Sequence, residues 1–256
     1  MGDSSDQKVR AGFERKRIIL PSSFLRTIRG KLNLGPPLTG TLLVLLWIWF
    51  FFEITLFHMS VASGSTQLWE DIFILSSDSL HYHWTWITSI LTHNSIIHLL
   101  ANSIALWSFG RYVERRGGQY LFLVTFVLSA LVASYGQIMV SVASGGSLSL
   151  VGSSGGIAGL IGLAAVLVPE LRVYFLFTIP MKLFGAVVFF VCVSIAVIVT
   201  NGPGAFGVAN TAHVAGFFTG LATGLGASKR KIPVHFNQLV TGRKIEKYPR
   251  QNEHEE

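Results

Sequence analysis

Long apolar stretches alternate with short polar segments along this chain, and most of the stretches are long enough to cross a membrane. A membrane-spanning helix needs about 17 to 25 mainly apolar residues. Stretches of about that length are Leu38–Phe57, Ile87–Phe109, Tyr120–Val142, Leu183–Val199 and Thr211–Ala227. The glycine-rich Ser154–Val168 is a shorter sixth. The pattern predicts an all-α polytopic membrane protein with six helices that span the membrane.

The basic residues lie in every second segment between these stretches. Of the 20 Lys and Arg residues, eight precede the first stretch, three separate the second from the third, two separate the fourth from the fifth, and seven follow the sixth. Short cytoplasmic loops collect Lys and Arg in membrane proteins. We therefore expect both termini in the cytoplasm, with residues 1–37 as a basic segment, 38–227 as the membrane domain and 228–256 as a charged tail.

Composition and charge exclude several classes of protein. Only 13% of the residues are charged, against about 25% in soluble domains. The net charge of +7 comes from the ends and inner loops, so it indicates contact with membrane lipid and does not predict nucleic-acid binding. The single cysteine, Cys192, lies in an apolar stretch and excludes a disulfide within the chain.

Five polar residues are expected at similar depth on the outer side of the membrane. In the predicted topology, the second, fourth and sixth stretches all run inward from that side. They bring Ser154, His213, His98, Asn102 and His93 to their outer halves. Polar groups inside membrane spans are costly and commonly functional. Any one of them alone is more often a hydrogen-bonding group between helices, so the hypothesis of a site depends on their coincidence.

Glycines predict that the fourth and sixth stretches touch. Gly155 and Gly159 are four residues apart on the fourth, and Gly216, Gly220 and Gly224 repeat at the same spacing on the sixth. Small residues at this spacing allow helix backbones to approach closely in lipid. Packing alone explains such stripes in many proteins. Here they would also bring a serine on one helix near a histidine on the other.

This arrangement favours nucleophilic chemistry at Ser154. His213 at hydrogen-bond distance would activate the hydroxyl. Backbone N–H groups at Ser154 and Gly155, at the start of a helix, would stabilise an oxyanion. A zinc protease is a poor fit, because the chain has no His-Glu-x-x-His and no carboxylate accompanies the clustered residues. We expect neither a metal nor a cofactor.

Three separated motifs resemble those of the rhomboid family of intramembrane serine proteases. Gly152-Ser153-Ser154-Gly155 is similar to the family's Gly-x-Ser-Gly motif, and the run from Ala212 to Gly220, which contains His213 and Gly216, is similar to its final-helix motif. His93, His98 and Asn102 match its His-x4-His-x3-Asn pattern. The resemblance covers roughly Trp84 to Gly224. One departure is Thr85 after Trp84, where family members often have arginine; this concerns the loop more than catalysis.

The resemblance implies a function and roles for the site residues. Ser154 would be the nucleophile and His213 the base; His98 and Asn102 would help to stabilise the oxyanion, with His93, Gly152 and Gly216 in support. The substrates would be single-pass or other transmembrane proteins, cleaved near the outer end of a helix, in the inner membrane of a prokaryote. Two alternatives stay open: a non-catalytic rhomboid-like protein that binds membrane helices, and a small-solute transporter.

Overall fold

The computed structural model describes residues 37–76, 81–143, 149–175, 179–202 and 209–229, most of which are helical. The predicted basic segment 1–37 and charged tail 228–256 lie almost entirely outside the described residues. The helices are α1 (Pro37–Ala62), α2 (Gln67–Phe73), α3 (Thr85–Leu91), α4 (Ile96–Ala105), α5 (Arg111–Ala143), α6 (Ser154–Leu167), α7 (Leu183–Asn201) and α8 (Asn210–Lys229). A π-helical turn, Leu106–Gly110, connects α4 to α5.

A short antiparallel hairpin corrects the expectation of an all-α chain. Strands β1 (Arg172–Phe175) and β2 (Ile179–Lys182) lie between α6 and α7, with Arg172 opposite Lys182. This connection is not helical, so its backbone N–H and C=O groups need other hydrogen-bond partners, and the pairing of β1 with β2 supplies them. The described part of the chain is therefore mostly helical.

Three helical stretches are long and apolar enough to cross a membrane: Pro37–Ala62, the continuous Ile96–Val140, and Leu183–Asn201. The middle one contains most of the predicted second stretch and nearly all of the third, and Gly118, at φ 81° and ψ 168°, kinks α5 between them. The apolar α6 has 14 residues, about 21 Å at 1.5 Å per residue. The 20-residue α8 is not among the three. The count of six spans stays a prediction.

The predicted second stretch is not one helix, and that expectation was wrong at Thr92–Ser95. α3 ends at Leu91 because Thr92 is extended, with φ −74° and ψ 142°. α4 begins anew behind Ser95, whose Oγ accepts a hydrogen bond from the backbone N–H of His98 at 3.2 Å. Glu53 of α1 accepts from the backbone N–H of His93 at 2.9 Å, so this N–H is satisfied outside a helix.

α6 is the centre of the structure. Nearly all of its residues from Gly155 to Ala165 are buried, between α5 on one side and α8 on the other. Large apolar side chains on α1 and α7 are exposed instead, such as Phe51 and Phe184, as expected of helices that face lipid. The carboxylate of Glu114 accepts from the backbone N–H groups of Leu38 at 2.9 Å and Thr39 at 2.8 Å. It thereby satisfies the first turn of α1, whose N–H groups have no partners within the helix.

Candidate active site

Ser154 and His213 meet where α6 begins. Ser154 is the first residue of α6, and His213 lies in the first turn of α8. The distance from Ser154 Oγ to His213 Nε2 is 2.8 Å. With the hydroxyl as donor and Nε2 as acceptor, this is the geometry in which an imidazole can take the hydroxyl proton as a nucleophile forms.

Glycines allow this approach by letting the backbones of α6 and α8 touch. A Cβ atom on Gly216 would overlap the carbonyl oxygen of Gly155, and one on Gly220 would overlap that of Gly159. On the other face of α6, a Cβ on Gly155 would come within 2.6 Å of the Cβ of Ala133. The N-terminal turn of α6 is thus held between α5 and α8 with no room for a larger residue.

The start of α8 is held from α5. Gln137 Oε1, fully buried, accepts a hydrogen bond at 3.3 Å from the backbone N–H of Ala212, directly before His213. The ring of Phe190 on α7 lies 6.3 Å from that of His213, measured between centroids. The His213 backbone N–H bonds to Ala209 O at 3.1 Å. Packing and helix capping therefore orient the imidazole.

Asn102 and His98 lie beside the loop that leads into Ser154. Gly152, at φ +116°, is so close to them that a Cβ there would be 2.7 Å from His98 Cε1, 2.9 Å from His98 Nε2 and 3.7 Å from Asn102 Nδ2. Its N–H donates to Ser89 O at 2.8 Å. Asn102 is only 6% exposed, and its Nδ2 has no partner among the described residues. A buried amide donor without a partner is costly, and here it lies beside the proposed nucleophile.

A cavity of about 260 Å³ lies beside Ser154 and His213. Asn102, Ser154 and His213 supply its polar lining, and the rest comes from apolar residues such as Phe109, Val187 and Phe217. Ligand sites commonly combine an apolar wall with a few polar groups. The cavity is therefore suited to an apolar segment that places one polar bond near Ser154.

His93 lies outside the helix of His98 and Asn102, and its partner is Ser153, for which the sequence predicts no role. His93 Nε2 is 3.4 Å from Oγ of the fully buried Ser153, and its Nδ1 is 2.9 Å from Leu91 O. The ring stands edge-on to His98, with 5.0 Å between centroids. Neither His93 nor Ser153 lines the cavity.

Glu53 corrects the expectation that no carboxylate accompanies the cluster. It is 2% exposed and binds the backbone N–H of His93 through Oε1, while Oε2 has no partner among the described residues. A signal was available, since Glu53 is the only acidic residue in any of the six predicted stretches and such residues commonly have a function. Within the described ranges, no three His, Cys, Asp or Glu residues cluster closely enough to hold a metal ion.

Comparison with known proteins identifies relatives of the chain. A family model described as "Rhomboid domain" matches residues 81–230, more than half of the chain. The chain is 28% identical over 121 residues to "Rhomboid protease GlpG" of Yersinia enterocolitica, and 29% identical over 122 residues to proteins of the same name from Yersinia pestis and Yersinia pseudotuberculosis. These matches cover 46% to 48% of this chain and only 40% to 41% of the relatives.

Proposed function

This chain belongs to the rhomboid family, and from this premise we propose that it is an intramembrane serine endopeptidase that cleaves transmembrane helices of other proteins near their outer ends. The observation that carries the proposal is the 2.8 Å contact between Ser154 Oγ and His213 Nε2 beside an apolar cavity. In a helix-binding or transport protein, nothing would require a serine and a histidine to be placed in this way.

The mechanism follows from the positions of these groups. His213 Nε2 takes the proton of Ser154 as Oγ attacks the scissile carbonyl carbon, and a tetrahedral intermediate with a negative oxygen forms. Asn102, His98 and the backbone N–H groups of Ser154 and Gly155 stabilise that oxygen. His213 then donates the proton to the leaving amine as the C–N bond breaks. Water, deprotonated by His213, hydrolyses the acyl-enzyme and returns Ser154 to its starting state.

We propose that the membrane domain has six spans, with both termini in the cytoplasm. The alternation of basic segments supports this arrangement. It places the start of α6 towards the outer side, and because α6 is about 21 Å long in a hydrocarbon core of about 30 Å, Ser154 lies below the outer surface. The domain limits 1–37, 38–227 and 228–256 belong to this proposal, as does the inner membrane of a prokaryote as its location.

The topology has its own test. Cysteines replacing Ser65, between α1 and α2, and Ser228, near the end of α8, are both exposed sites. In a Cys192→Ser background, an impermeant thiol reagent applied to intact cells should label position 65 and leave position 228 unlabelled. Labelling at 228 would overturn the proposed orientation.

The substrate class follows from the lining of the cavity. Apolar walls below the polar groups suit a transmembrane helix, whose carbonyl groups are hidden in its own hydrogen bonds while it remains in lipid. Cleavage therefore requires that the helix unwinds near its outer end. We expect substrates with residues that weaken helices, such as glycine or proline, just beyond the scissile bond.

Labelling with a fluorophosphonate probe tests the proposal directly. The purified protein should be labelled, Ser153→Ala should be labelled to a similar extent, and Ser154→Ala should not be labelled. The adjacent serine serves as a matched control because both hydroxyls lie close to a histidine. If the wild-type protein is not labelled and cleaves no transmembrane substrate, the proposal is wrong and the helix-binding and transport alternatives remain.

A further inference from the structure

Asn94 contacts the imidazole of His98 without serving as the cap of α4. Asn94 Oδ1 lies 3.0 Å from His98 Nδ1, and Asn94 is exposed. The cap is the next residue, Ser95, whose Oγ accepts from the backbone N–H of His98. The start of α4 therefore does not need the Asn94 side chain. What the contact affects is the ring of His98.

This contact determines which ring nitrogen of His98 carries the proton. A neutral imidazole has one N–H and one lone pair. When the amide oxygen of Asn94 faces Nδ1, the proton is on Nδ1 and Nε2 can only accept. When the amide is turned by half a rotation, its NH2 group donates to Nδ1, and the proton must be on Nε2. The two orientations have nearly the same shape and give His98 opposite hydrogen-bonding character.

The other edge of the His98 ring faces the loop that leads into Ser154. A Cβ on Gly152 would lie within 2.9 Å of His98 Nε2 and 3.7 Å of Asn102 Nδ2. Asn102 Nδ2 is a buried donor without a partner among the described residues. For both side chains to stabilise one negative oxygen at this place, Nε2 of His98 must carry its proton.

We propose that Asn94 is a positioning residue: with its amide turned by half a rotation from the orientation in which Oδ1 faces Nδ1, its NH2 group donates to Nδ1 and holds His98 as the Nε2–H tautomer that stabilises the oxyanion. The inference rests on the proposed serine-protease function. It assigns to Asn94 a role that depends on its amide group, which neither an acidic nor an apolar side chain of the same size can fulfil.

The groups around His98 leave this role to Asn94. His93 stands edge-on to His98, but its Nδ1 is close to Leu91 O and its Nε2 to Ser153 Oγ. His213 from α8 faces Ser154, with 2.8 Å between Nε2 and Oγ. Glu53 from α1 lies beyond His93 and binds its backbone N–H. These titratable neighbours also contribute to the pH dependence of kcat. Because the variants below leave them unchanged, differences between the pH profiles report on the substituted residue.

Asn94→Asp tests the proposal because a carboxylate can only accept. It keeps the proton on Nδ1 and deprives Nε2 of its hydrogen at neutral and basic pH. We expect kcat for a transmembrane substrate to fall about 10- to 100-fold there, less than the hundred- to thousand-fold typical of a lost oxyanion donor, since Asn102 and the backbone N–H groups remain. As the pH is lowered, His98 takes a second proton, Nε2–H returns, and the deficit should shrink.

Two further variants separate this effect from a structural one. Asn94→Leu, of similar size, removes both donor and acceptor, so neither neutral tautomer of His98 is imposed. Its kcat should fall by less than that of Asn94→Asp, and the deficit should likewise shrink in acid as His98 takes a second proton. Ser95→Ala breaks the neighbouring contact to the His98 backbone; it should lower the melting temperature and leave the shape of the pH profile unchanged. A parallel profile for Asn94→Asp and wild type, or full activity of Asn94→Leu, overturns the inference.

A spectroscopic measurement decides the question independently of catalysis. In protein labelled with ¹⁵N-histidine, the couplings between ring nitrogens and ring protons identify the protonated nitrogen, and the His98 signals are assigned from their loss in His98→Gln. We expect Nε2–H in wild type and Nδ1–H in Asn94→Asp. Nδ1–H in an active wild type refutes the role of Asn94. Nε2–H in a protein that neither cleaves nor binds fluorophosphonate refutes the proposed function alone.

Discussion

Two adjacent serines each lie beside a histidine, and the two pairs differ in what surrounds them. Ser154 Oγ and His213 Nε2 are 2.8 Å apart and line the cavity. Ser153 Oγ and His93 Nε2 are 3.4 Å apart, and both residues are buried outside it, at 0% and 2% exposure. His93 is also bound at Nδ1 and at its backbone N–H. The Ser153–His93 pair, the sealed pair, has the same chemical groups as the Ser154–His213 pair, but a substrate in the cavity cannot reach it.

The difference shows what turns a serine–histidine contact into a candidate for catalysis. The Ser154–His213 pair, the open pair, lies at the start of α6, where the first backbone N–H groups have no partner within the helix. Asn102 Nδ2 is nearby, a buried donor without a partner among the described residues. The sealed pair connects the loop before α6 to the segment Thr92–Ser95. We therefore assign a stabilising role to Ser153 and His93. Four predictions test the contrast between the two pairs.

The largest effect is expected at His213, with His93 of the other pair as its comparison. His213→Ala removes the only base in contact with Ser154 among the described residues and should lower kcat by more than about 10⁴-fold, as removal of a residue of a catalytic unit does. His93→Ala should lower it by about tenfold or less, through loosened packing against His98. Gel-based cleavage of one transmembrane substrate measures both. Equal losses would remove the distinction between the open and the sealed pair.

The sequence predicted much of the helical fold because lipid imposes a simple length and polarity rule. The fourth stretch was predicted to begin at Ser154, as α6 does. Spacing of glycines predicted the contact of α6 with α8, since a missing Cβ has a direct steric consequence. These predictions needed only local sequence and one-dimensional order.

Pairings between individual polar groups on distant segments could not be predicted in this way. The break at Thr92–Ser95 lies inside an apolar stretch whose pattern predicts one continuous helix. The acceptor for the His93 N–H in this break is Glu53, 40 residues away. The contact of Ser153 with His93 joins residues 60 positions apart. Neither pairing has a signal in residue spacing, so the sequence alone assigned His93 to a helix and left Ser153 without a partner.

The next largest effect is expected for Gly152→Ala, which would displace the two side chains proposed to stabilise the oxyanion, His98 and Asn102. An alanine at φ +116° is strained, and its Cβ would collide with the ring of His98. Because the strained loop leads into Ser154 and also lies beside Asn102, both side-chain donors should be disturbed together, and kcat should fall by about 10²- to 10³-fold. Gly64→Ala is the matched control, since Gly64 also has positive φ, +88°, but no atom within 4 Å of a Cβ. It should cost stability alone; equal kcat losses in both variants would mean that backbone strain, not the His98 contact, is responsible.

A smaller effect is expected when a single donor is removed. Asn102→Ala and His98→Ala should each lower kcat by about 100-fold or less, because the other side chain and the backbone N–H groups remain. Substrate affinity and melting temperature should change little, since these donors act when charge develops in the transition state. Turnover and melting are measured on the same purified variants. Normal turnover with lost stability would assign both residues to packing between helices.

The smallest effect is expected at Ser153, and it should appear in stability instead of turnover. Ser153→Ala removes one hydrogen bond to His93 and leaves a buried ring nitrogen without its donor, which should cost about 0.6–2 kcal/mol of unfolding free energy. Because Ser153 does not line the cavity, kcat should stay within about threefold of wild type, a change of roughly 0.65 kcal/mol in activation free energy. A double-mutant cycle with His93→Ala, measured by equilibrium unfolding in mixed detergent micelles, should give a coupling of about 0.5–1.5 kcal/mol. No coupling would mean that the 3.4 Å contact contributes nothing. A kcat loss in Ser153→Ala as large as that in His213→Ala would mean that the sealed pair takes part in the chemistry.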